Sequence, residues 1–262
     1  MARNVAWGID IGESAIKAVK CRKVGDSIVI QDYRTVPCEA GPEDAGGGDR
    51  EARIRSALAT LQRDIRLKGT TVAVSMPGRD VFPRFISLPP VEKKRIPELV
   101  RYEARTQMPF PIEEVIWDYQ PLAEEVEPGE EVEVALFAIK RASVYHFLDS
   151  LSATGLQADL VEISPLALYN YMMYDRPVEA ATVLIDLGAG NTDLVILDAE
   201  RFWTRNVSIS GNDITRALQE KYQISFEEAE SLKRKAASSE QADKLFGVMR
   251  PILDDLIGEI QR

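Results

Sequence analysis

One short pattern occurs twice in this chain, and it restricts the fold more than anything else in it. The run Val183-Leu184-Ile185 ends on Asp186, and Leu187-Gly188-Ala189-Gly190-Asn191-Thr192 turns the chain into a second apolar run, 194–197. Near the start, Val5-Ala6-Trp7-Gly8-Ile9 ends on Asp10, Gly12 makes the turn, and a second strand leaves through Ile16 and Val19. A third strand-like run follows each pair, over residues 27–36 and 201–209. Glycine in such a turn leaves backbone N–H groups uncovered, as a phosphate oxygen requires. A carboxylate at the strand end can reach a hydrated Mg²⁺. A hairpin with a Gly-rich turn explains either copy taken alone equally well. Two copies change the balance, because turns brought face to face would clamp a triphosphate and its metal from both sides.

The remaining sequence bounds the molecule. At 262 residues the chain can bury one large core or two modest ones. Its net charge of −10 argues against a nucleic-acid surface or an anionic membrane as a direct partner. Cys21 and Cys38 lack metal-ligand spacing and read as reduced thiols. No signal peptide precedes the first strand and no apolar run approaches membrane-spanning length, so a cytoplasmic protein is expected.

In order, three strands are expected over 4–11, 14–23 and 27–36, then a Gly-rich loop over 41–48. A helix follows over about 49–67, with Ile54, Leu58, Leu61 and Ile65 at helical spacing. Strands at 70–75 and 81–88 lead to Pro89-Pro90. The helix predicted over 91–108 sets Ile96, Val100, Ala104 and Met108 on one face and Lys94, Arg101 and Arg105 on another. A solvated helix face is the simpler account of that charge.

Strands at 115–122 and 132–140 flank an acidic turn. His146 lies on the following helix, 145–154, with no carboxylate at helical spacing and is read as structural or exposed. Ser164-Pro165 starts a helix to 174. Gly211-Asn212-Asp213 opens another, 214–222, and Ser225 with Glu228 forms a capping box for 225–237. There Glu230 and Lys233 lie one turn apart, a spacing that is usually only a surface ion pair. Pro251 predicts a kink or break in the last amphipathic helix, 239–262.

The paired Asp-x-Gly turns resemble the phosphate loops of the actin, Hsp70 and sugar-kinase superfamily. Over its whole length the chain is similar to the PilM family of type IV pilus assembly proteins, relatives of the cell-division protein FtsA. GIDIGESAIKAVK, SMPGRDVFPRFISLPP, VRYEARTQMPFPIEEVIWDYQPL and IDLGAGNTDLVIL with ISGNDITRAL carry that resemblance. It implies an α/β, actin-like fold, a duplicated ribonuclease H-like design. The first half (1A) would comprise 1–70 and 158–180, an inserted α+β subdomain (1C, SHS2 type) 71–157, and a second half (2A/2B) 181–262. Family members continue into strands and a Gly-rich turn over the adenine, so the second half is expected to be incomplete, the sequence being read as a fragment.

The resemblance also implies roles. Asp10 and Asp186 would hold Mg²⁺ through water, as the catalytic carboxylates. Gly12, Glu13 and Ser14 would line the ATP phosphates, with Lys17 as a nearby point charge. Gly188, Ala189, Gly190, Asn191 and Thr192 would form the second phosphate loop. Gly211 and Asp213 match the turn near ribose and phosphates, and Glu230 with Lys233 the pair near adenosine. Relatives often carry a small hydroxyl residue at the position of Glu13, where a carboxylate repels phosphate unless it turns away or meets metal.

Only Glu162 and Ser164 are at hand to position a hydrolytic water, so at most a slow ATPase is expected. The partner implied is the cytoplasmic N-terminal tail of a PilN-like inner-membrane protein, with Arg101, Arg105, Phe110 and Ile112 as a candidate wall and membrane association indirect. Other pilus assembly proteins and self-association are further contacts on that reading. An FtsA-like filament protein, a nucleotide-free scaffold and, more remotely, a sugar-type kinase are the alternatives.

Overall fold

The computed structural model describes residues 4–38, 50–122, 129–175, 180–197 and 202–262. The loop expected at 41–48 and most of the acidic turn lie outside those residues. The chain divides into two compact units, Met1–Val183 with Val195–Thr204, and Leu184–Leu194 with Arg205–Arg262.

The first unit is built on a five-stranded sheet. Strands β1 (Val5–Ile11), β2 (Ala15–Val24) and β3 (Ser27–Pro37) form an antiparallel meander. Helix α1 (Arg50–Asp64) then leads to β4 (Thr71–Met76), which pairs parallel with β1. The sequence reading places β4 at the start of the insert; the ladder puts it in the main sheet, whose order is β3-β2-β1-β4-β8. Alternation along β1 turns Trp7, Ile9 and Ile11 to one face, where they meet Leu58 and Leu61 of α1 and Leu156. Gly8 and Asp10 therefore emerge on the other face.

The insert follows β4. Strand β5 (Val81–Leu88) leads to α2 (Ile96–Gln107), and β6 (Val115–Pro121) and β7 (Val132–Lys140) complete an antiparallel sheet of order β5-β7-β6. Pro83 is tolerated because β5 is an edge. Helix α2 buries Ile96, Val100 and Ala104 against Leu88, Val134 and Leu136, in keeping with its periodicity. Helix α3 (Arg141–Ser152) and strand β8 (Leu160–Ile163), parallel to β4, return the chain to the main sheet, and α4 (Ser164–Asp175) follows. His146 is exposed on α3, with Nε2 2.8 Å from Glu51 Oε1.

Strands β9 (Thr182–Leu187), β10 (Thr192–Leu197) and β11 (Phe202–Val207) form a three-stranded sheet, the second copy of the β–turn–β–β unit. Within the first unit Phe202 meets Phe137 and Tyr169, and Trp203 stacks on Phe85 at 5.6 Å. The face of the insert's sheet away from α2 is thus also packed.

The second unit closes with α5 (Gly211–Tyr222), α6 (Phe226–Arg234) and α7 (Ala242–Ile260). Ile214, Leu218, Ala229, Leu245 and Met249 form its helical core. Leu194, Val207 and Leu256 seal α7 to the strands. The break expected at Pro251 does not occur, for α7 runs through it. Pro251 is exposed, so the Gly247 carbonyl that loses its N–H partner there can take one from water.

Leu136, 1% exposed, lies in the insert's core. Leu136→Ala should cost about 2–5 kcal/mol, read as a lowered urea midpoint.

Candidate nucleotide-binding turns and their supports

Both turns obey the same steric limit. A Cβ on Gly12 would lie 2.8 Å from the carbonyl oxygen of Ala15, and one on Gly188 would lie 2.8 Å from that of Asn191. Glycine is required at both because the chain folds back on its own carbonyl three residues later. In the second turn the Gly188 amide donates to that carbonyl at 3.0 Å. Two positions 176 residues apart thus meet one constraint, which is the structural sign of duplication.

In the first unit, register assembles a polar row that the linear sequence does not display. Asp10 pairs with Ser75 of β4, and Ser75 with Glu162 of β8. The Ser75 hydroxyl donates to Asp10 Oδ1 at 2.8 Å, and Lys17, opposite Asp10 on β2, places Nζ 3.7 Å from Oδ2. These groups, with Tyr33 and Ala167, line a cavity of about 370 Å³ over the sheet face opposite α1. Burial pushes the Glu162 carboxyl up, the Ile163 amide pulls it down, and the charge of Asp118 adds to the rise. Ser164 donates instead to the Met76 carbonyl at 3.2 Å.

Glu13 is not left against the turn as an uncompensated charge. Its Oε1 lies 3.0 Å from Arg50 Nε and 3.2 Å from Arg79 Nη1. Arg50 opens α1 and Arg79 lies just before β5, so the turn is tied to the helix layer and to the root of the insert. Sequence reasoning singles out neither arginine, because nothing in 37 or 66 residues of separation marks them.

The second turn has a different support. Gly211 donates to the Gly188 carbonyl at 2.9 Å and Asn212 to that of Ala189 at 3.0 Å. A Cβ on Gly211 would stand 3.3 Å from the Gly188 oxygen and 3.5 Å from Lys233 Nζ, so the start of α5 is packed closely on the turn and a side chain there would push the turn back slightly. Lys233 donates to the Gly211 carbonyl at 3.0 Å and to the Thr215 hydroxyl at 2.9 Å, and pairs with Glu230 at 2.6 Å. An ammonium has three donors, and all three are engaged. Burial pushes Glu230 up, but hydrogen bonds from Lys233, Thr215 and Arg234 outweigh it and hold its carboxyl at about 2.

Several of the expected phosphate-side groups are turned inward. The Thr192 hydroxyl is fully buried and donates to the Ile209 carbonyl at 2.6 Å. Asp213 accepts from the Ser210 amide at 2.9 Å and its hydroxyl at 2.6 Å, at the start of α5. Asp186 is exposed at the end of β9. Asp193, not proposed from sequence, is 4% exposed and accepts from Asn206 at 2.7 Å; burial pushes its carboxyl up, opposed by Asn206 and Asn191 and reinforced by Asp186. The signal for it was its place in β10, where alternation would turn a polar residue inward.

On the insert, Arg101 and Arg105 are exposed one turn apart on α2. Phe110 and Ile112 pack against the insert's core, Phe110 with its ring 5.9 Å from Phe82 and under Lys140 Nζ.

The family model for the type IV pilus assembly protein PilM matches residues 8–262. The chain belongs to the PilM family. A solved PilM–PilN type IV pilus biogenesis complex aligns over 98% of this chain and 75% of that one, at 28% identity and a TM-score of 0.76. The cytoplasmic domain of EpsL, an inner-membrane component of the Vibrio cholerae type II secretion system, is a fainter likeness, 15% identical over 77% of this chain and 71% of that one, TM-score 0.49. As a PilM-family protein the chain has the actin-like α/β fold that its two turns indicated. No helix among the described residues is long and apolar enough to cross a membrane.

Gly12→Ala and Gly188→Ala should each cost about 1–3 kcal/mol, since a backbone carbonyl has to move; thermal melts by circular dichroism measure it. Glu230→Gln should cost about 1–2 kcal/mol at pH 7, a value discounted for solvent screening of a side chain 25% exposed. Folding lowers the Glu230 pKa from 4.5 to about 2, so the deficit is complete above 4.5 and fades as pH falls toward 2. Urea titrations across that window give the trend.

Proposed function

We propose that this PilM-family chain binds Mg-ATP through its two glycine turns and that nucleotide state governs its grip on the cytoplasmic tail of a PilN-like membrane protein. The matched steric constraint at Gly12 and Gly188 is the observation that supports it. The turns resemble one another down to the carbonyl each glycine faces, a match that a chance pair of hairpins would not require. Backbone amides of residues 12–14 and 189–191 are the proposed phosphate donors, that of Gly188 being engaged within the turn.

The residues fit such a ligand in kind. Gly211 packs directly on the turn at Gly188 and Ala189, which holds the start of α5 beside the proposed phosphate donors. Among the described residues no three Asp, Glu, His or Cys side chains gather into a metal site. A divalent cation would therefore come with the phosphates and meet Asp10 and Asp186 through water, in keeping with the reluctance of Mg²⁺ to dehydrate. When bound it would neutralise phosphate charge. Lys17 offsets the charge of Asp10, and Arg50 with Arg79 compensates Glu13. Glu162 is the group that could order a water, which supports at most slow turnover.

The solved relative is a PilM–PilN complex, and this is the ground for a PilN-like tail as partner and for indirect membrane association. Arg101 and Arg105 are exposed and remain candidates for tail contact; Phe110 and Ile112, packed on the insert's core, are the proposed apolar part of the same wall. One observation favours a second reading, a nucleotide-free scaffold: Thr192, Asp213 and Lys233 are all satisfied internally.

Calorimetric titration with Mg-ATP separates the two. Saturable binding that weakens by more than about tenfold in Asp10→Asn/Asp186→Asn is expected. Absence of binding in the parent chain, and again in a chain extended with downstream coding sequence, leaves the scaffold. A tail peptide titrated with and without Mg-ATP then shows whether the two sites are coupled, and equal affinities in both would remove the coupling.

A further inference from the structure

Strand β3 is an 11-residue edge of the main sheet, paired among the described residues with β2 alone. Its apolar side chains are unusually open: Tyr33 is 74% exposed, Ile30 67%, and Ile28 and Val29 47% each. A long apolar edge is a site for adding a strand unless it is blunted.

The blunting here is local and has an order to it. The Tyr33 amide donates to Asp32 Oδ1 at 2.9 Å, and the Tyr33 carbonyl accepts from Arg34 Nη1 at 2.7 Å. Asp32 and Arg34 also pair with each other. Both backbone groups of Tyr33 therefore point away from β2 and are held by side chains, not by a ladder. At the far end, the Tyr174 hydroxyl accepts from the Ile28 amide at 2.6 Å, so α4 covers the edge there, whereas among the described residues no strand pairs with 30–37 on that side. A bulge between the pairs of Lys20 and Cys21 leaves Gln31 without a partner on β2.

We propose that β3 is a self-association edge that takes β3 of a second copy, antiparallel, about a two-fold axis at Tyr33. The sequence around that residue is self-complementary in this register. Tyr33 meets Tyr33 of the second copy, Asp32 meets the second copy's Arg34, and Arg34 the second copy's Asp32. With Tyr33 as a hydrogen-bonded pair, each copy's Tyr33 amide and carbonyl exchange bonds with the other's, replacing the side-chain caps. The flanking Asp32–Arg34 positions then become non-hydrogen-bonded pairs, about 4.5 Å apart at Cα, where cross-strand side chains are closest. The one ion pair within each copy is exchanged for two between copies, and no charge is left unpaired. The charges that blunt the edge against other strands are what select this one, because a strand without the Asp-x-Arg order leaves both unpaired.

Sedimentation across a concentration series tests it. The parent chain should form a reversible dimer. Asp32→Arg sets two arginines opposite each other, and Arg34→Asp sets two aspartates opposite, so each should weaken self-association by roughly tenfold or more. An equimolar mixture of the two variants should restore the dimer as a mixed species. In it one strand carries arginine at both positions and the other aspartate at both, so opposite charges face each other on either side of the axis. The double variant Asp32→Arg/Arg34→Asp should dimerise like the parent. A parent chain that stays monomeric, an Asp32→Arg variant that dimerises like the parent, or a mixture that fails to pair overturns the assignment.

Discussion

The folding-back of a strand end onto a carbonyl three residues later is the constraint on which the rest depends. It admits no side chain at Gly12 or Gly188, and it places a carboxylate, Asp10 or Asp186, just before each turn. In the first unit the turn also sets the β1–β2 ladder that brings Lys17 opposite Asp10. In the second it presents the Gly188 and Ala189 carbonyls to the start of α5, which fixes where Gly211 and, through it, Lys233 must be. Fold and candidate site are thus specified by the same few backbone atoms.

The two turns solve the problem of charge in different ways. A chain of net charge −10 is a poor host for polyphosphate unless local charge opposes the global field. Around the first turn Glu13 adds another negative charge, and Arg50 and Arg79 more than offset it. Arg79 also lies just before β5, so its pair with Glu13 ties the turn to the root of the insert. Around the second turn Lys233 is fully committed to Gly211, Thr215 and Glu230, and its charge is largely cancelled by Glu230. Its work there is to hold the N-terminus of α5 against the turn.

Much of this is legible in the sequence because it is local. The strands, the glycine turns, the apolar face of α2 and the Ser225–Glu228 cap all follow from spacing within a few residues. What escapes such a reading is set by register or by long-range pairing. The row Asp10–Ser75–Glu162 depends on β1, β4 and β8 being parallel neighbours, and no spacing in the chain encodes that. The same holds for Arg50 and Arg79 on Glu13. Placing β4 inside the insert, from residue 71, misses for the same reason, since the strand's pairing with β1 is decided by tertiary contact. Pro251 misleads for a different reason, since its cost falls on one carbonyl, and on an exposed helix face water can meet it.

The inward turning of polar side chains at the second turn bears on where affinity would come from. Thr192, Asp193, Ser210 and Thr215 are all buried, and each has a hydrogen-bond partner within the second unit. These groups rigidify the turn and leave the exposed Asp186 carboxylate and, on the proposed reading, the backbone amides of 189–191 as the parts a ligand would meet. A site of that kind recognises charge and shape through main-chain geometry, which costs no side-chain ordering when a ligand arrives. It also sets which substitutions the turn can absorb. A change at Thr192 would be felt first as lost packing and an orphaned Ile209 carbonyl, whereas a change at Gly188 would alter the stability of the turn and the spacing of its donors together.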